Sequence, residues 1–164
     1  MKTKNETILK AEKGKQETFF IREFDYPREL VFNAFIDPKL IIQWLGPRDL
    51  QMRIDKYEAK AGGSYRYVHF RKAGVEYGFR GVFHECVTPE RIIQTFEFEG
   101  TPMKGSVCLS TTLFEVLPNN RTRVTIQDVY KSVADRDAAV ASGMEGGVIE
   151  SNERLDELLE KINN

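Results

Sequence analysis

The chain has 164 residues, enough for one domain with a sizeable core. It is 41% hydrophobic and 30% charged with a formal net charge of −1, which excludes the electrostatic footprint of a nucleic-acid or anionic-membrane binder. No apolar run spans a bilayer, and the opening MKTKNETILKAEKGK lacks the apolar core of a signal peptide, so the expectation is a cytoplasmic protein without membrane insertion or a nucleic-acid partner.

Residues 1–15 are polar and lysine-rich and read as a tail, at most a marginal edge strand, with residues 16–164 as a single domain. ETFFIREFDY, residues 17–26, mixes aromatic and β-branched residues with charges and predicts a first strand. Asp25, Tyr26 and Pro27 stop it. Pro27 suits the first turn of a short helix whose apolar positions are Leu30, Val31, Ala34 and Phe35. Asp37 and Pro38 end that helix and open a second over residues 39–45, closed by Gly46 and Pro47. Beyond it the punctuation becomes regular, and strands are predicted at 50–59, 64–71, 76–87, 91–99, 107–117 and 121–130. The breaks between them are short, which favours hairpins over crossovers and makes these six an antiparallel meander. Ile92, Phe96 and Phe98 alternate onto one face of their strand, as do Val124, Ile126 and Tyr130, the pattern of a sheet with one covered face. GTPMKG, residues 100–105, is the longest break and the candidate flap.

Residues 135–162 contain no proline and place Ala141, Met144, Val148, Leu155, Leu158 and Ile162 at steps of three and four, which predicts one long amphipathic helix. Glu150, Glu153, Glu157 and Glu160 fall opposite, and Glu150 with Arg154 and Glu157 with Lys161 have the favourable order for pairs four apart. Gly143, Gly146 and Gly147 each cost about 1 kcal/mol relative to alanine in a helix interior, and Ser151 interrupts the apolar seam. Absent side chains there leave room for a ligand; the plainer alternative is close backbone packing or a kink near Ser142 and Gly143. Leu155, Leu158 and Ile162 read as ordinary core. The fold class is α+β: a curved, seven-stranded antiparallel sheet around a long C-terminal helix, with two short helices after the first strand and room between sheet and helix.

Candidate chemistry is sparse. Cys86 and Cys108 fit no metal-ligand spacing and read as reduced core thiols on strands. His84 and Cys86 alternate onto one face, but no third ligand is spaced for a metal. His69, on a strand with Tyr65 and Tyr67, is either a general acid or base with a near-neutral pKa or a partly exposed strand histidine. No nucleophile elbow, phosphate loop or dinucleotide fingerprint occurs, and no cofactor is implied. Trp44, the only tryptophan, either stacks on a ligand or anchors its helix. Arg66 and Arg80 need an anionic partner if they face inward and are solvated charges if they face outward. The candidate ligand-binding set is Trp44, Tyr67, His69, Arg80, Phe96, Thr112, Met144, Gly147, Val148 and Ser151, with Phe98 beside Phe96.

FDYPRELVFNAFIDPKLIIQWLGP, the paired glycines of GGSYRY, GVFHECVTPERIIQTFEFEG and SGMEGGVIESNERLDELL together resemble the family related to the C-terminal domain of the Hsp90 ATPase activator, in the START-like (SRPBCC) superfamily. The likeness covers roughly residues 17–162 with the four segments in order. It implies the helix-grip architecture, with a cavity between sheet and C-terminal helix in many members. Superfamily members include lipid carriers, hormone receptors, polyketide cyclases and dehydratases, and cochaperone domains. The expectation is a small-molecule binding protein holding an apolar or aromatic ligand. The alternatives are an Hsp90 cochaperone-like interaction module with a chaperone partner, and a cyclase- or dehydratase-type enzyme. The cochaperone of the family's name has a further N-terminal domain with no counterpart in these residues, so a full activator is not expected. A monomer or a dimer formed through an exposed first strand fits equally.

Overall fold

The computed structural model describes residues 5–100, 102 and 104–164. Residues 1–4 of the tail, and Thr101 and Met103 of the expected flap, lie outside the described residues. Eight strands follow the order β1 (Ile8–Lys10), β2 (Glu17–Phe24), β3 (Gln51–Tyr57), β4 (Ser64–Phe70), β5 (Glu76–Val87), β6 (Arg91–Phe98), β7 (Val107–Leu117) and β8 (Arg121–Tyr130). Helices α1 (Arg28–Ile36) and α2 (Pro38–Ile41) separate β2 from β3, and α3 (Val133–Ala141) and α4 (Met144–Asn163) close the chain. All pairings are antiparallel, in the spatial order β1-β2-β8-β7-β6-β5-β4-β3. The six predicted meander strands are all present, and β7 and β8 have the predicted bounds.

Burial explains the layering. In β2 every second side chain, Thr18, Phe20, Arg22 and Phe24, is buried, and β7 alternates in the same way through Cys108, Ser110, Thr112 and Phe114. One face of the sheet is therefore covered, as the period of two requires. The cover consists of α1 and the C-terminal half of α4: Phe32 meets Phe114 edge-on at 5.0 Å, and Leu155, Leu158 and Leu159 join the same core.

Four expectations need correction. The sheet has eight strands rather than seven, because Ile8–Lys10, within the tail expected to hold at most a marginal edge strand, pairs with β2 through Ile8 and Ile21. That short strand is the sheet edge, so β2 lies between β1 and β8 and is not free to pair across a two-fold axis. The predicted single helix is two. Ser132 caps α3 by accepting from the Asp135 N–H at 3.0 Å, and Gly143, at φ +83°, takes the left-handed conformation that ends one helix and starts the next. Finally, Ile162 is 37% exposed while Leu159 is fully buried: after the break the buried stripe of α4 runs through Ser151, Asn152, Leu155, Leu158 and Leu159.

Candidate functional site

Between the concave sheet face, the N-terminal half of α4 and the α1–α2 segment lies a space of about 710 Å³. Its sheet wall is aromatic. Tyr65, Tyr67 and His69 point inward from β4, Phe79 from β5, and Phe96 and Phe98 from β6. The Phe79 ring lies nearly parallel to Tyr67 at 5.2 Å and to Phe96 at 5.6 Å, with Phe98 tilted against it at 5.1 Å. The opposite wall is thin. Met144, Gly147, Val148 and Ser151 line it, and a β-carbon built on Gly147 would meet no atom within 4 Å.

Nine of the ten sequence-selected residues, Trp44, Tyr67, His69, Phe96, Thr112, Met144, Gly147, Val148 and Ser151, border this one space. Several have structural duties there as well. The Trp44 indole N–H donates to the Ala34 carbonyl at 2.9 Å and its ring packs on Phe35 at 4.8 Å, which makes it an anchor of the α1–α2 unit. The Ser151 hydroxyl accepts from the Gly46 N–H at 2.7 Å and donates to the Gly147 carbonyl at 2.8 Å, fastening the loop after α2 to α4. Arg154 donates to the Gln43 and Gly46 carbonyls at 2.9 and 2.8 Å, and so serves the loop rather than the Glu150 pair expected from spacing. Glu150 accepts from the Arg48 N–H at 2.8 Å, and Glu157 pairs with the Arg48 guanidinium at 2.5 Å.

His69 is buried, at 5% exposure, rather than partly exposed; β4 turns it inward in the same register as Tyr65 and Tyr67. Burial, with the Arg154 charge as a smaller cause, lowers its pKa to about 4, so the ring is neutral at physiological pH. Its Nε2 has no hydrogen-bond partner among the described residues. The ring lies so close to Gly46 that a β-carbon there would fall 2.0 Å from Cε1, and Gly46 also holds φ at +101°. Both facts demand glycine at this corner.

The most polar part of the wall lies outside the residues expected from sequence. Thr18, Asp128, Ser110 and Gln94 are register partners in turn across β2, β8, β7 and β6, forming one rung. Asp128, Ser110 and Gln94 of that rung face the space. Burial raises the Asp128 pKa to about 6, opposed in part by a hydrogen bond with Ser110. The signal was an acid in the apolar register: Asp128 falls between Ile126 and Tyr130 on the covered face. The Tyr130 hydroxyl lies 3.8 Å from the Met144 sulfur, which ties this rung's neighbour to α4.

Arg80 is the one selected residue outside the space. It faces the convex side and pairs with Glu97 at 2.7 Å, while Arg66 bonds Glu99 at 2.8 Å and also Asp55. The register Tyr67 to Phe79 and Arg66 to Arg80 sets this: the aromatic member of each strand points in and the arginine out. His84 and Cys86 do not share a face, because a bulge between Phe83 and Glu85 breaks the alternation. Cys86 is half-buried and Cys108 buried, both as free thiols with pKa values raised by burial. Among the described residues no group of three histidine, cysteine or acidic side chains is placed to hold a metal, and no helix is long and apolar enough to cross a membrane.

A curved antiparallel sheet closed by a C-terminal helix over an aromatic concave face is the helix-grip architecture of the START-like class. The chain belongs to the family described as "Activator of Hsp90 ATPase homolog 1-like protein", whose match spans residues 25–160. Solved structures share the fold. A Rhodobacter sphaeroides protein has a TM-score of 0.85 at 24% identity, covering 95% of this chain and 99% of its own. An Arthrobacter aurescens protein has 0.84 at 24%, covering 94% and 91%. The AHSA1 protein of Silicibacter pomeroyi has 0.72 at 20%, covering 88% and 97%. At these identities the likeness speaks for fold alone. No curated protein matches the sequence.

Proposed function

We propose that the protein binds a small apolar or aromatic molecule between the concave sheet and α4. The observation that carries this reading is the space of about 710 Å³ opposite Gly147, a volume within the range of roughly 300–1,000 Å³ typical of small-molecule sites. Stacked aromatic faces on Tyr67, Phe79 and Phe96 supply the apolar surface, and His69 Nε2 with the Asp128 rung supplies polar groups. Native mass spectrometry of protein purified from its own source is the test. Wild-type protein is expected to retain a small-molecule mass that a Gly147→Trp variant, filling the space from α4, does not. Bare protein in both cases would count against the reading.

A second reading follows from the family's name and from one surface feature. Val107, Leu109, Leu113 and Val129 are exposed apolar side chains, and Leu109 and Val129 are register partners on the convex face. An apolar stripe of this kind suits a protein partner, and the family description points to Hsp90. Calorimetric titration with Hsp90 is expected to give saturable heat that Leu109→Asp abolishes; no heat at high protein concentration would remove this alternative.

A further inference from the structure

Asp128 differs from the carboxylates that pair with arginines. Glu97, Glu99, Asp55, Glu85 and Glu157 each face an arginine. Asp128 faces the interior space with Ser110, its register partner, as its polar neighbour. The groups around it carry no compensating positive charge. Cys108 comes from β7, Tyr130 from its own strand and Tyr65 from β4. From the helical side, Arg136 of α3 is engaged by the Glu17 carbonyl at 3.1 Å and by Asp137 at 2.9 Å. His69, elsewhere on the wall, is neutral above about pH 4. A carboxylate kept in an apolar space without a cation is costly unless something supplies the missing charge.

The aromatic wall complements the same charge. Phe96 lies one rung along from Gln94, so its backbone stands two strand spacings across and one rung along from Asp128, about 12 Å, with Phe79 and Tyr67 on the next two strands beyond it. Ring faces attract cations through their quadrupole, and nearly parallel rings admit a flat body. Resting on the binding reading above, we propose that the ligand is a cationic aromatic amine, its ammonium group on the Asp128 carboxylate with Ser110 and Gln94 beside it, and its flat body reaching the aromatic wall at the Phe96 end.

The test compares three probes of one shape by calorimetry: 1-naphthylmethylammonium, neutral 1-naphthylmethanol and anionic 1-naphthoate. At pH 8 the ammonium probe is expected to bind at least about ten-fold more tightly than the alcohol, the scale of a charge-assisted contact, with the carboxylate weakest. On wild-type protein that advantage should shrink about ten-fold between pH 8 and pH 5, as the carboxylate takes up a proton while the amine stays charged. In Asp128→Asn, checked for folding by thermal melting, the ammonium-to-alcohol ratio should collapse toward one. Alcohol and ammonium binding equally, or an advantage independent of pH and of Asp128, overturns the amine assignment while leaving the binding reading intact. Failure of all three probes to bind overturns both.

Discussion

Asp128 and His69 face one space with pKa values displaced in opposite senses, and their effects on stability oppose each other. Asp128 titrates near 6 when folded against an ordinary 3.8, so the folded protein holds its proton more tightly. Its penalty is absent below about pH 4, grows as pH rises through the window to 6, and reaches about 3 kcal/mol above it at order of magnitude. His69 is lowered to about 4 from 6.5, so the unfolded chain binds its proton more tightly. Its contribution is complete above pH 6.5 and is lost as pH falls toward 4, again about 3 kcal/mol. Wild-type stability from denaturant titrations should therefore change little across pH 4–6 through these two groups, while the single variants unmask each slope. Asp128→Asn should gain about 2–3 kcal/mol at pH 7 and nothing near pH 4. His69→Phe should lose the acid-side decline. A variant curve parallel to wild type across that window would refute the assignment of either group as buried and displaced.

Among the elements, α4 divides at Ser151. Leu155, Leu158 and Leu159 are buried against α1 and the sheet, whereas the turns containing Gly146 and Gly147 meet open space. Gly147→Ala should therefore raise stability by about 1 kcal/mol, the helix-interior cost of glycine, with no clash to offset it. Gly143→Ala should lower it by about 1 kcal/mol, because φ is +83° there and space is not the constraint. Thermal melts of the two variants should move in opposite directions. The same contrast shows what sequence made legible. Strands Glu76–Val87, Val107–Leu117 and Arg121–Tyr130 have the bounds expected from sequence because turn residues flank them, as Asn119 and Asn120 at positive φ do between the last two. The bulge beside His84 hid a change of face, since an inserted residue leaves no mark in composition. Three clustered glycines do not say which one adopts positive φ, so sequence leaves open both a kink near Ser142 and Gly143 and room for a ligand, and the structure puts the break at Gly143. Within the candidate site, apolar and glycine positions follow from periodicity, whereas Asp128 does not, because a lone acid between Ile126 and Tyr130 is an exception to the apolar register.

At the scale of the whole molecule, the chain's two ends meet early and late residues across the same sheet. Glu17 pairs with Val129, so β2 cannot be placed until β8 exists, and such non-local pairing predicts folding on the slower, millisecond-to-second side for its size. The loop after α2 is held to α4 by Ser151, Arg154 and the Arg48–Glu157 pair. Removing the hydroxyl in Ser151→Ala should speed hydrogen exchange at the Gly46 amide by about 5–10-fold, from loss of roughly 1 kcal/mol. Amides of β7 and β8 should be unaffected. Equal acceleration everywhere would mean that Ser151 supports the global fold instead of this clasp. The open position at Gly147 has a further consequence for how the protein can change. The substitution that makes the chain more stable also makes its interior smaller, so robustness and capacity are set against each other at a single codon. Mutational drift toward a sturdier protein would narrow the space between α4 and the sheet, and under the proposed binding function a larger ligand fits only a chain that keeps glycine there.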